Sequence, residues 1–70
     1  MKYRTIAHKL RALGCEELPR RGDGSHRKWY NLAADRLTAI PDWGPKDLKL
    51  GTLRAIIAQL GLDWEIFRSA

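Results

Sequence analysis

Seventy residues leave room for one domain, residues 1–70, with a modest core, which excludes a deep substrate pocket and favours a shallow surface site. Thirteen Lys and Arg against eight Asp and Glu give a net charge of +5, which suits nucleic acid, an anionic membrane surface or an acidic protein partner, unless the basic surface is simply a solvated one. The single cysteine, Cys15, excludes an internal disulfide, and without a long apolar run neither a signal peptide nor a membrane span is expected, so the default location is cytoplasmic.

Tyr3, Ile6, Ala7, Leu10 and Leu13 recur at helical spacing and predict a helix over residues 2–13, stopped by Gly14. Lys2, Arg4, Lys9 and Arg11 fall mostly on its other face, where His8 reads as an exposed helical histidine. Residues 15–21 predict a weak strand, and Pro19 places it at an edge or ends its pairing. Gly22-Asp23-Gly24-Ser25 is a turn by composition. Residues 26–32 make a better strand, with His26, Lys28 and Tyr30 on one face and Arg27, Trp29 and Asn31 on the other. Trp29 is expected to face the core, which leaves His26 and Lys28 on the open side.

Residues 33–36 are a short connection to a third strand, 37–40, ended by Pro41; three strands with short links form an antiparallel meander. An irregular loop over 42–45 and a turn over 46–50 follow. Leu50, Leu53, Ile56, Ile57 and Leu60 then define the strongest helix, with Gly51-Thr52 at its start and Gly61 at its end. Asp63 caps a short last helix through Phe67, and Trp64 and Phe67 are expected to pack back. Two amphipathic helices must bury their stripes on one face of the sheet, so the fold class is α+β, a two-layer sandwich with an open sheet face.

The chemistry concentrates between Arg20 and Trp29. Histidine titrates nearest neutral pH and is the usual general acid or base. His26 follows a glycine-rich turn and is surrounded by Arg20, Arg21, Arg27 and Lys28, cations suited to a phosphodiester backbone. Ser25 and the amides around Gly24 suit a phosphate oxygen. Lys46, Lys49 and Arg54 lie around the start of the strong helix, either as a phosphate site or as a solvated charged face. Two histidines and one cysteine lie far apart without metal-ligand spacing, so no metal or cofactor is expected. Cys15 reads as structural, and Glu16-Glu17 as solvated. On these residues alone a catalytic histidine and a hydrogen-bonded strand histidine both remain open for His26.

Gly24-Ser25-His26 opens the second strand with Trp29 soon after. Ile40-Pro41, Lys46-Asp47-Leu48-Lys49, Gly51-Thr52-Leu53-Arg54-Ala55-Ile56-Ile57 and Gly61-Leu62 follow in order. With this set the chain resembles, over almost its whole length, the HicA toxins of bacterial and archaeal HicA–HicB toxin–antitoxin systems. The resemblance implies a double-stranded-RNA-binding-domain-like α+β fold and an endoribonuclease that cleaves mRNA to arrest translation and growth. It places the essential histidine at His26, and it implies a HicB-type antitoxin that covers the active site. Many relatives carry a second histidine shortly after the Ile-Pro step, where this chain has Asp42-Trp43. Trp43 then either stacks on a base or plugs the edge of the core. Two other functions stay in view: a non-catalytic RNA-binding domain of the same fold, and an interaction domain whose charge serves only an acidic protein partner.

Overall fold

The apolar stripe near the N-terminus folds as α1, Tyr3–Ala12, because burying Tyr3, Ile6, Ala7 and Leu10 on one side leaves the cations in solvent. Gly14, at a φ of 87°, turns the chain out of the helix into β1, Cys15–Glu17. The computed structural model describes residues 1–20 and 24–70. Beyond β1 lie β2, His26–Asn31, β3, Arg36–Pro41, α2, Leu50–Gln59, and α3, Trp64–Ser69.

Among the described residues the sheet has three strands in the order β1-β2-β3, both pairs antiparallel. The first strand is shorter than the expected span of 15–21. The Leu18 amide still donates to the Lys28 carbonyl at 2.9 Å, but Pro19 has no N–H to continue the ladder. Residue 21 lies outside the described residues. The link between β2 and β3 is a turn over 32–35, with the Asp35 amide donating to the Leu32 carbonyl at 3.2 Å.

All three helices lie on one face of the sheet. Trp29 and Ile40 rise from β2 and β3 into a core completed by Ile6 and Leu10 of α1, Leu53 and Ile57 of α2, and Phe67 of α3. Two polar side chains drawn into this layer find partners there. The Trp29 indole donates to the Tyr3 hydroxyl at 3.0 Å. The buried Asn31 amide donates to the Leu60 carbonyl at 2.7 Å, which caps a carbonyl left free at the end of α2. The other face of the sheet carries His26, Lys28 and Ala39, all exposed, and the half-buried Tyr30. The alternation expected for β2 therefore holds residue by residue, and the architecture is the α-β-β-β-α arrangement of a double-stranded-RNA-binding-domain-like fold with a short added helix.

The helix α1 and the strands β2 and β3 each end within one residue of their expected bounds, and the approach to α2 differs as well. The second helix begins at Leu50, with extended Lys49 as its cap residue, so Gly51 and Thr52 fall inside the first turn. The Lys49 carbonyl accepts the Leu53 amide at 3.0 Å, and the Lys49 side chain makes no cap hydrogen bond. The expected turn over 46–50 contains a bridge between Asp47 and Lys2, which ties the start of α1 to the approach to α2. The last helix is capped as expected but runs past Phe67 to Ser69: the Asp63 carboxylate accepts the Ile66 amide at 3.1 Å, and the Trp64 and Phe67 rings meet at 5.7 Å.

Candidate functional site

Strand pairing places His26. It opens the central strand opposite Pro41, and the register puts its side chain on the open face together with Lys28. Pro41 has no amide hydrogen, so the next bond comes from Asp42, whose N–H donates to the Ser25 carbonyl at 2.5 Å. That bond extends the pairing to Ser25 and fixes the entry to His26; Gly22 and Asp23 of the expected turn lie outside the described residues. Gly24, Ser25 and His26 are all exposed. Among the described residues no side chain hydrogen-bonds the imidazole.

Arg27 points the other way. Its guanidinium lies 3.2 Å from Glu17 and 2.7 Å from Asp42, and it stacks over the Tyr3 ring at 5.2 Å. The hydrogen bond to Glu17 is the largest cause raising the Arg27 pKa above its ordinary value, with the nearby Tyr3 and Asp42 adding to it. Arg27 was expected among the RNA-binding cations. Its charge is matched by two carboxylates on the helix-covered side, and it bridges β1, β2 and the loop after β3. Glu17, expected to be solvated, is instead half-buried and paired with Arg27, with Arg11 at 3.5 Å.

The remaining expected cations fall into groups. Arg20 is exposed at the end of the segment after β1. Arg21 lies outside the described residues. Lys28 is exposed beside His26 on the same strand face. Lys46 follows β3 in the loop that carries Trp43, and the two line a shallow cleft of about 380 Å³. Lys49 and Arg54 are exposed at the N-terminal half of α2, where the Arg54 guanidinium stacks on Trp64 at 5.1 Å. Lys28 and His26 thus share one face, whereas Arg54 packs toward α3.

Trp43 does not plug the core edge; it is 46% exposed. The residue that sequence reasoning missed is Asp42. One carboxylate oxygen binds Arg27, the other accepts the Gly44 amide at 3.0 Å, and its own amide holds Ser25. An aspartate two residues before a glycine is the local signal for such a turn, and it was available in the sequence.

Cys15 is buried, and burial pushes its thiol above the ordinary 9.0. That suits a packing residue and not a nucleophile. Among the described residues no group of three His, Cys, Asp or Glu is placed to hold a metal, and no helix is long and apolar enough to cross a membrane.

Residues 3–62 match the family model described as HicA toxin of bacterial toxin–antitoxin, a stretch running from the first residue of α1 to just past α2. The chain belongs to the HicA toxin family. No curated protein and no solved structure matches it. As a HicA toxin it is the toxin member of a toxin–antitoxin pair, and an antitoxin partner goes with that assignment. The family match includes the turn into β2, the His26 strand and the Lys46–Arg54 segment, and it stops before α3.

Proposed function

We propose that this toxin is a metal-independent endoribonuclease that cleaves mRNA, with His26 as general acid or base, and that a HicB-type antitoxin holds it in check. The observation that carries the reading is an exposed histidine at the start of the central strand. Lys28 lies beside it on the open face, and Ser25 is fixed by the Asp42 amide.

The chemistry follows from what one imidazole can do to RNA. The 2′-hydroxyl attacks the adjacent phosphorus, the new 2′-O–P bond forms, and the P–O5′ bond breaks. A neutral His26 accepts the 2′ proton, or a protonated His26 supplies the proton that leaves with the 5′ oxygen; water makes the other transfer. Such a group supplies roughly 10²–10⁴-fold in rate. Lys28 offsets the charge that builds on the phosphate oxygens, and the exposed Ser25 and Gly24 amides lie where a phosphate oxygen can be held. All of these contributions come from side chains and backbone, so a chelator leaves cleavage unchanged.

The test compares wild type with His26→Ala for RNA cleavage and for growth arrest. Cleavage is expected to fall by roughly 10²–10⁴-fold while RNA binding persists. Equal cleavage by both proteins removes His26 from the chemistry. RNA retention without scission by wild type would instead establish passive binding.

A further inference from the structure

Three tryptophans have three different fates. Trp29 is fully buried in the core, Trp64 packs on Phe67, and Trp43 stands 46% exposed on the loop after β3. Leu32, Leu37, Leu50 and Ile66 are exposed as well, but Trp43 is the large ring among them, and an indole offers a flat face on which a planar ligand can stack. The loop that carries it is firmly held. Asp42 binds Arg27 at 2.7 Å, accepts the Gly44 amide at 3.0 Å and donates its own amide to Ser25 at 2.5 Å. The Lys46 amide then donates to the Trp43 carbonyl at 3.3 Å, which closes the turn. Trp43 is therefore one residue beyond a direct backbone bond to the residue preceding His26. Lys46 shares its cleft and brings a cation beside the indole.

We infer that Trp43 is a stacking platform for an unpaired nucleobase next to the phosphate presented to His26, with Lys46 on the phosphate of that nucleotide. The inference rests on the proposed ribonuclease function and names its substrate form: single-stranded RNA, because a base paired within a helix offers no free face to an indole. Stacking accepts any base, and its strength grows with ring area, so Trp43 favours a purine at one position without reading hydrogen-bonding edges. Arg27 and Asp42 act as positioning residues here. They tie the loop that carries Trp43 to Ser25 and β2 and touch no substrate.

The experiment uses a short single-stranded RNA and the non-cleaving His26→Ala protein, so that the RNA stays intact during binding. Adding Trp43→Ala is expected to weaken binding roughly 5- to 150-fold, the range that one base–aromatic stack spans, and Trp43→Phe to retain part of it. Trp43 is exposed, so both variants are expected to keep the wild-type circular dichroism. Removing the nucleobase from one nucleotide at a time should reveal a single position whose loss weakens the tryptophan protein and leaves Trp43→Ala unaffected. In the cleaving background Trp43→Ala should raise KM more than it lowers kcat. If wild type cleaves RNA and Trp43→Ala binds it equally well, the platform is wrong and the ribonuclease stands. If wild type neither binds nor cleaves RNA, both are overturned. Loss of antitoxin binding in Trp43→Ala with RNA binding intact would assign the indole to the protein partner and overturn the inference.

Discussion

Arg27 shows how one side chain can look like a ligand-binding group and act as part of the frame. Its guanidinium is mostly covered, forks onto Glu17 and Asp42, and leaves its buried Nε without a partner among the described residues. Truncating it leaves two carboxylates close together in a largely covered site. Arg27→Ala is expected to destabilise the fold, by less than loss of one partner from a fully buried pair because water still reaches these groups. The urea midpoint should fall at unchanged m. Under conditions where the variant is folded, its RNA affinity should match wild type, whereas Lys28→Ala should bind more weakly; the reverse ordering would return Arg27 to the RNA surface. Period-two alternation made the face of Arg27 legible in the sequence. Its partners were not legible, because Glu17 and Asp42 come from other elements and only the folded register brings them together. The buried acids make a second prediction. Burial raises the Cys15 thiol above 9.0, and burial also raises the Tyr3 phenol above 10.0 against the lowering effect of the Trp29 hydrogen bond. The folded chain thus keeps protons that the unfolded chain gives up. The stability this supplies is present below about pH 9 and is lost as pH rises through the folded-state values. Urea midpoints measured across the alkaline range should decline from about pH 9, and Cys15→Ala should reduce the early part of that slope.

Elements meet at Gly61. It ends α2 at a φ of 74°, and a Cβ built there would lie 2.9 Å from the Ala34 Cβ in the β2–β3 turn. Gly14 has a similar conformation, φ 87°, with open space around it. Alanine at either site carries the left-handed strain of about 1–2 kcal/mol, but only Gly61→Ala must also push two elements apart. Gly61→Ala should therefore lower the urea midpoint more than Gly14→Ala does, and equal losses would mean that the turn yields freely. Both glycines were legible as helix ends, because the hydrophobic period stops just before each. The same period made α1 and α2 plain, since a stripe must face something. The end of β1 and the start of α2 were less plain. Pairing at β1 depends on which amides reach β2, and α2 starts on the extended Lys49 backbone without the side-chain cap that marks α3. Trp43 was open between two roles because a lone aromatic in a loop has no periodic context. Only its exposure decides against the core.

The whole molecule carries a net charge of +5, but its cations do not all face outward as free charge. Arg27 is bound to Glu17 and Asp42, Arg11 lies beside Glu17, Lys9 donates to the carbonyls of Arg68 and Ala70, and Arg68 pairs with Glu65. The frame thus uses part of the positive charge to tie α1, the sheet and α3 together. Lys28 remains exposed beside His26 on the open face, Lys46 is exposed in the loop after β3, and Arg20 is exposed at the end of the segment after β1. Each cation that meets a phosphate of single-stranded RNA releases about 0.7 of a counterion. Three such contacts give a slope of roughly −2 for log K against log salt concentration. Removing one by Lys28→Ala or Lys46→Ala should flatten the slope by about 0.7, while Lys9→Ala should leave it unchanged because that ammonium is held by the C-terminal carbonyls. Filter-binding or fluorescence titrations of the His26→Ala protein at several salt concentrations measure this directly. A slope near zero would show that the charge serves no polyanion. An equal flattening by Lys9→Ala and Lys28→Ala would show that RNA responds to net charge alone, without a face organised around His26.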